Sequence, residues 1–449
     1  MARKKRQIFG LICVTGVILV VGFVALRILG LSSAGSELDL ELLQARREGI
    51  ATEPEDFARP PVPDGENAAN GLMALYERAR KLPGDPVGVL TDYTGIAISP
   101  TAEKRAIEAL EPLLGDAETL SRLPHYDPHR DLRRGWDVDY RDREAIRNLQ
   151  RCLAIRVRLD IDANRQERTF AGLTAMANLA RMMGEEPDVS ALFLRLSIEY
   201  FVIKLAQEAL DKFPVSESGI ESARKIFSSL GPISNLRRAQ ACELVVERIL
   251  LKQYPAWSMR HPNANSGGMS VFDSLLLRVK SVRELNESNL IKDIRTVYRL
   301  LPRNPSQVNR SVTALRKVPG DGDSSTILDA PEEIDFSLGR LFPVFRFKSA
   351  AVDAWARDIA RRRVFAAGID IMEHARKTGN FPTIWGKNGP DGIDPFSDKP
   401  LIYRRIGPGF IVYSIDADRV DNGGRIKPNK DDSKRKKDIA FAFDRAIGK

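Results

Sequence analysis

Carboxylates concentrate near the end of the chain, between and after two short strand-like runs in DPFSDKPLIYRRIGPGFIVYSIDADRVDNGG, residues 394–424. Asp416, Asp418 and Asp421 lie in this stretch, and Asp438 follows after an insertion. Calcium takes about six to eight oxygen ligands from carboxylates and carbonyls of a turning backbone. The residues leave two interpretations open: a calcium site formed by Asp416, Asp418, Asp421 and Asp438, or an exposed turn of ordinary composition.

Three other groups of residues resemble metal sites, and each lacks a feature that such a site needs. In HYDPH (125–129) prolines prevent the helical presentation of two histidines, which favours a solvated loop. DIMEH (370–374) has Asp370 where a metalloprotease signature needs histidine, which favours a polar helix face. DGDSSTILDAPE (321–332) has Thr326 where a calcium-binding EF-hand loop needs glycine. The sequence therefore nominates no catalytic residue and leaves an enzymatic activity undecided.

The elements around the aspartates predict a small α+β module. PLIYRR and GFIVYSI are two predicted strands joined through a Gly-Pro-Gly turn, and IAFAF after Asp438 is a third. A long helix precedes them and ends at Gly379 and Asn380. Residues 337–449 are thus expected to form one helix-plus-sheet domain, separated by a turn-rich linker, 317–336, from what precedes it.

Residues 66–316 show helical periodicity and predict an extracytoplasmic body of helical hairpins. Its central helix is expected in DVSALFLRLSIEYFVIKLAQEALDKF and ends at Pro214. Ser218 and Glu221 then form a capping box that begins the next helix. Residues 254–272 read as a long break, a surface excursion that could cover a cleft. The fold class is therefore mainly α.

The N-terminus predicts a membrane anchor over residues 1–31. Four cations in MARKKRQ precede an uncharged span, residues 8–26, which as a helix at about 1.5 Å per residue nearly crosses a hydrocarbon core. Cations before the span predict a cytoplasmic N-terminus and a body outside the cytoplasm. A cleaved signal peptide, with small residues at Ser32 and Ala34, is the alternative, although its apolar core would be long for a signal. Residues 32–65 follow as a tether.

The net charge of +9 does not indicate a nucleic-acid partner. Residues 1–30 carry five cations and no acid, and residues 427–437 carry six cations and two acids, so the remaining residues are neutral overall. A folded body without a basic face lacks the electrostatic footprint of a DNA- or RNA-binding protein. The three cysteines are too scattered for a disulfide framework and are expected to be buried thiols, with Cys13 inside the span.

The C-terminal hundred residues resemble the major pseudopilin of type II secretion systems. The resemblance lies in the long helix, then DPFSDKPLIYRR, GFIVYSIDAD, NGG and DIAF. In that family a helix precedes a small antiparallel sheet and a loop binds calcium, which implies that Asp418 and Asp438 are calcium ligands here. Arg419 replaces the glycine of the family's loop, and GLICVT lacks the glutamate of a pilin-type leader.

The chain as a whole resembles a group of bacterial membrane-anchored envelope proteins to which no activity is assigned, through PVPDGENAANGLMALYERA and AGLTAMANLARMMGEEPDVSALFLRLSIEY. These resemblances imply a single-pass, periplasmic-facing protein with an envelope protein partner. The expected function is non-catalytic binding or scaffolding in the cell envelope, with calcium stabilising the C-terminal loop. Two alternatives remain: a pseudopilin-like component of a secretion or pilus-type assembly, and a carboxylate-dependent hydrolase acting in the helical domain.

Overall fold

The structure is a computed structural model, and it describes residues 33–91, 99–260, 278, 280–317, 348–386, 390–424 and 438–445. Its helices are α1 Ala34–Arg47, α2 Ala68–Arg80, α3 Pro86–Thr91, α4 Pro100–Ser121, α5 Arg141–Asp162, α6 Gln166–Met183, α7 Val189–Lys212, α8 Glu217–Ser229, α9 Leu236–Arg260, α10 Lys280–Leu300, α11 Val308–Leu315 and α12 Lys348–Thr378. Its strands are β1 Ile402–Ile406, β2 Gly409–Ser414 and β3 Ile439–Phe443. The predicted mainly helical fold with a small antiparallel sheet is confirmed.

The described chain forms two compact units. The first contains described residues of 33–58, 132–137 and 241–299, and in it Arg248 donates to Glu287 at 2.7 Å between α9 and α10. The second contains described residues of 59–131, 138–240 and 300–445, and it holds one continuous hydrophobic core. The linker predicted at 317–336 lies outside the described residues after Lys317, and the division into domains stays a prediction.

Side-chain caps set the helix starts in the second unit. Asp188 accepts a hydrogen bond from the Ala191 amide at 3.0 Å at the start of α7, which satisfies an amide that has no partner within the helix. Pro214 follows the end of α7, as predicted. The predicted capping box is wrong, because Ser216 rather than Ser218 accepts from the Gly219 amide at 3.1 Å and begins α8.

The break predicted at 254–272 is also wrong in its first part. Helix α9 continues to Arg260 through Pro255. Proline removes one hydrogen-bond donor from a helix interior but does not force it to end, and kinked helices tolerate it. Residues 261–272 lie outside the described residues.

Helix α7 is buried around most of its circumference and contacts α5, α6 and α12, which confirms its predicted central position. Cys152 on the neighbouring α5 and Cys242 on α9 are both buried, as predicted. Burial raises the pKa of the Cys152 thiol to about 12, because a thiolate is costly away from water. Cys152 is therefore an inert core residue.

The C-terminal sheet packs on α12. Its strands run antiparallel in the order β1-β2-β3, with Tyr403 opposite Val412 and Val412 opposite Phe441. Helix α12 ends before Gly379, whose positive φ of 78° suits a residue without a side chain. Gly368 on α12 faces the Phe441 ring, and a Cβ at Gly368 would lie 2.6 Å from ring carbons. The glycine therefore allows the close approach of helix and sheet.

Among the described residues, no helix combines the length and apolar character that crossing a bilayer requires. The predicted span, residues 8–26, lies outside those residues. The anchor and the resulting location stay predictions.

Candidate functional site

The aspartates of the C-terminal loop point in different directions. Asp416 is buried, and its Oδ1 accepts a hydrogen bond from Nε of Arg357 on α12 at 2.7 Å. Asp418 instead closes its own turn: its Oδ1 accepts from the Val420 amide at 3.0 Å and its Oδ2 from the Asn422 side-chain amide at 3.2 Å. The first two predicted calcium ligands thus have protein partners.

Asp421 and Asp438 both accept hydrogen bonds from the Asn422–Gly424 turn. Oδ1 of Asp421 accepts from the Tyr413 hydroxyl and the Gly423 amide, each at 2.9 Å. Oδ2 of Asp438 accepts from the Gly424 amide at 2.7 Å, whereas its Oδ1 is buried and has no hydrogen-bond partner among the residues that the structure describes. Burial raises the pKa of Asp438, and the negative charge of Asp421 raises it further.

The fit to calcium is partial. In the parts of the chain that the structure describes, no three acidic, histidine or cysteine side chains converge as a metal site requires. Asp416 is held by a cation and is the poorest candidate of the four. The unpartnered oxygen of Asp438, with Asp421 nearby, is the one feature that suits a hard cation.

A residue that the sequence analysis missed as an anchor fixes this loop. Asp394, only 1% exposed, accepts through Oδ1 from the Phe396 amide at 2.9 Å and the Ser414 hydroxyl at 2.7 Å. Its Oδ2 accepts from the Ser397 hydroxyl at 3.0 Å and the Ile415 amide at 3.1 Å. The Asp-Pro-Phe-Ser segment was the available signal, because an aspartate before proline often caps a turn. Asp394 is a structural residue that ties the entry of the sheet to the end of β2.

The HYDPH segment is not the solvated loop that was predicted. Tyr126 and Asp127 are buried, and nearby Glu186, 5% exposed, pairs with Arg130 at 2.9 Å and Arg143 at 3.0 Å. The loop is therefore held by a network of buried ion pairs, whose partners lie far along the chain. The two histidines stay largely exposed, with about half of each side chain accessible.

The same network continues to the start of α7. Arg143 donates two hydrogen bonds to Asp188, at 2.9 and 2.6 Å. Burial alone would raise the pKa of Asp188, but the Arg143 guanidinium outweighs it, and the pKa lies far below its usual range. Asp188 therefore stays charged and paired at every ordinary pH.

The DIMEH segment has the polar helix face that was predicted. Arg224 on α8 pairs with Asp370 at 3.0 Å and with Glu373. All three side chains are partly exposed. The arrangement ties α8 to α12 at the surface and brings no metal-binding group together.

A pair of buried carboxylates that the sequence could not nominate joins α7 to α12. Glu199 and Asp358 are both fully buried beside Arg195 and Arg362. Burial and the Glu199 charge hold the pKa of Asp358 well above its usual range, whereas the arginines lower that of Glu199. The raised pKa favours the protonated form of Asp358, which can donate a hydrogen bond to Glu199, while Oδ2 of Asp358 also lies 3.3 Å from Nε of Arg362. The pair is part of the core.

A polar groove lies between α4, α6 and α8 of the second unit, with a cavity volume of about 1190 Å³. Hydroxyl and amide side chains form much of its wall: Ser121, Gln166, Thr174, Asn178, Ser218, Ser222 and Ser229. Ligand pockets are usually apolar with a few polar groups, so this wall is unusually hydrophilic. The groove suits a ligand that is itself rich in hydrogen-bonding groups.

Several of these polar groups have unused hydrogen-bonding capacity. The side chains of Gln166, Asn178 and Ser222 form no hydrogen bond to the residues that the structure describes. The hydroxyls of Thr174 and Ser229 each donate to a carbonyl of their own helix, at 2.8 Å, and keep their lone pairs for a ligand. The wall can therefore both donate to and accept from a bound molecule.

The charges around the groove favour an anion. Arg165 and Arg168 pair with Asp160, whereas Arg122 and Lys225 have no ion pair within the described ranges. Glu167 is the one exposed acid of the wall. The free cations thus outnumber the free acid at the groove.

Comparison of the chain with protein-family models, with curated proteins and with solved structures finds no match.

Proposed function

We propose that the protein is a single-pass, membrane-anchored binding or scaffolding protein of the cell envelope, with its body outside the cytoplasm and its binding surface in the groove between α4, α6 and α8. The observation that carries the binding role is the groove itself, where Gln166, Asn178 and Ser222 present unused polar groups. The apolar segment 8–26 behind four cations and the near-neutral body support the anchor and the exported topology.

The buried ionisable groups support binding rather than catalysis. General acid–base chemistry needs a group that can reach a substrate proton. Glu199 and Asp358 are fully buried and bonded to each other and to arginines, and Asp416 is held by Arg357. These groups hold helices and sheet together, which is the requirement for a rigid scaffold.

Calcium at the C-terminal loop belongs to the same proposal, in a reduced form. Asp421 and Asp438, with Asp418 joined through Asn422, are the candidate ligands, and Asp416 is left out because Arg357 holds it. Bound calcium would satisfy the unpartnered Oδ1 of Asp438 and relieve its repulsion with Asp421. Its role is to fix the sheet, not to catalyse a reaction.

Topology is tested by protease shaving of intact cells that carry an epitope tag after Lys449. We expect the tag to be digested from outside and the protein to sediment with membranes. A tag that is protected until the cells are lysed would place the body in the cytoplasm and refute the proposal. Mass spectrometry of the mature N-terminus tests the pseudopilin alternative: an intact Met1 or Ala2 excludes it, and cleavage near Gly10 supports it.

The binding role is tested by crosslinking in intact envelopes followed by affinity purification. We expect a reproducible crosslinked adduct, absent when groove residues Arg122 and Lys225 are replaced by alanine. The same adduct from the groove variant would place the binding surface elsewhere on the protein.

A further inference from the structure

The groove extends across α8 into a second hollow. Ser218, Ser222 and Lys225 line both the main cavity and this smaller one, of about 580 Å³. With Ser229 they lie at positions i, i+4, i+7 and i+11 of α8, and therefore on one face of the helix. A helix of 13 residues is about 20 Å long at about 1.5 Å per residue, so this face offers a track rather than a pocket.

We infer that this track binds an extended acidic glycan, that is, a chain of hydroxylated sugar units bearing carboxylates; the inference rests on the proposed binding function and names its ligand class. Sugar hydroxyls both donate and accept hydrogen bonds. They match Asn178 and Gln166, whose amides do both, and the serine and threonine oxygens, which accept.

The cations account for the acidic part of the ligand. Arg122 and Lys225 are exposed and have no ion pair within the described residues. A carboxylate at either cation gains charge-assisted hydrogen bonds without breaking an existing pair. Arg165 and Arg168, already bound to Asp160, add positive potential without being free to move.

Two other classes of polymer fit less well. An acidic peptide gains much of its affinity from buried apolar side chains, and the wall offers only Phe170, Ala171 and Ala175 for them. A nucleic acid gains affinity from bases that stack on aromatic side chains, and among the described lining residues Phe170, itself buried, is the one aromatic side chain.

The test is titration calorimetry of the full chain in a non-ionic detergent at low salt, with sodium polygalacturonate as the probe. Neutral dextran and poly-L-glutamate of similar length are the comparison polymers. We expect polygalacturonate to bind, dextran to bind at least about tenfold more weakly, and poly-L-glutamate to show no comparable binding. Added salt should weaken polygalacturonate binding, because the charges are exposed.

Variants separate the contribution of charge to polygalacturonate binding from that of hydrogen bonding. The pair Arg122→Ala and Lys225→Ala should weaken polygalacturonate binding by about tenfold or more, and Asn178→Ala by about threefold to tenfold. Lys104→Ala, an exposed cation at the other end of α4, is the matched control and should leave binding within about twofold. Circular dichroism checks that each variant is folded, which is expected because these side chains are not buried.

The inference is overturned if polygalacturonate does not bind, if poly-L-glutamate or dextran binds as tightly, or if the groove variants bind like Lys104→Ala. If the calorimetry fails but the tag is digested from outside and the crosslinked adduct forms, the acidic-glycan ligand is refuted and the proposed function still holds. An internal tag refutes the proposed function whatever the calorimetry shows.

Discussion

Replacing Gly368 by alanine tests the packing of α12 on the sheet. A Cβ at this position would lie 2.6 Å from two carbons of the Phe441 ring and 2.8 Å from a third, where ordinary contacts begin at 3.4 Å. Phe441 cannot easily withdraw, because it is 2% exposed and its ring stacks on Phe410 with centroids 5.8 Å apart. Helix and sheet must therefore separate, or the ring must leave its preferred conformation.

The magnitude follows from two opposing effects. Overpacking a close-packed core costs about 1–3 kcal/mol. Alanine in place of glycine within a helix gains about 1 kcal/mol in helix propensity. The net loss of unfolding free energy expected for Gly368→Ala is thus between about 0 and 2 kcal/mol. A control that shares the propensity gain but lacks the clash makes this range decisive.

Gly115 on α4 provides that control, because nothing lies within 4 Å of a Cβ placed there. Gly115→Ala should stabilise the protein by up to about 1 kcal/mol. The difference between the two variants cancels the propensity and should equal the overpacking cost of about 1–3 kcal/mol. Guanidinium unfolding of the full chain in detergent, followed by circular dichroism, measures both.

Phe441→Leu in the Gly368→Ala background completes the cycle, because it removes the ring that the new methyl group meets. The double variant should lose less free energy than the sum of the single changes, by about 0.5–3 kcal/mol. Equal stabilities for Gly368→Ala and Gly115→Ala would refute the close approach of α12 and β3. Strict additivity in the cycle would show that Phe441 is not the group in contact.

Three further changes test the charges. Burial raises the pKa of Asp353 to about 6, above its ordinary 3.8, so its contribution to stability is favourable at low pH and is lost as pH rises through 6. Between pH 4 and 7 the unfolding free energy of Asp353→Asn should therefore rise, relative to that of the wild type, by up to about 3 kcal/mol. Guanidinium unfolding measures this difference. Asp188→Ala should lower the free energy of unfolding by about 3–5 kcal/mol, because it leaves the buried Arg143 without this ion-pair partner and removes the N-cap of α7. Asp139→Ala removes an exposed ion pair and should lower it by less than about 1 kcal/mol. Calcium in place of chelator should raise the thermal midpoint of the wild type by several degrees and should not raise that of Asp438→Asn, by differential scanning fluorimetry.

A specific result would contradict each of these three predictions. Parallel pH profiles for the wild type and Asp353→Asn would show that the pKa of this carboxyl is not raised by folding. Similar losses for Asp188→Ala and Asp139→Ala would refute the buried network. An unchanged thermal midpoint with calcium, or the same shift in Asp438→Asn, would remove the metal from the proposal.

Local signals in the sequence predicted local structure well. The three strands and the long helix ending at Gly379 were recognised because β-branched and aromatic runs, a Gly-Pro-Gly turn and a glycine stop act within a few residues. The capping-box prediction failed at the same scale, since Ser216 and Ser218 each lie shortly before a glutamate and only the folded backbone shows that Ser216 is the N-cap. The break predicted at 254–272 failed for a related reason, because a proline such as Pro255 weakens a helix but does not have to end it.

Features that depend on distant partners were not predictable. The pairing of Glu199 with Asp358 joins residues about 160 positions apart, and no period or spacing connects them. The HYDPH segment was taken for a solvated loop because Glu186 and Arg143, which bury it, lie elsewhere in the chain. The groove is likewise assembled from α4, α6 and α8, and its polar residues read separately as ordinary helix surface.

The ion pairs that join α7 to α12 can form only late in the synthesis of the chain. Glu199, which Arg195 pairs within α7, receives its second partner Arg362 only after the ribosome has added more than 160 further residues. Until then an unfinished chain carries these charges with no interior to hold them, so nascent segments should gain little by collapsing early. Fragments released ahead of Arg362 should accordingly be degraded rather than accumulate as half-folded products.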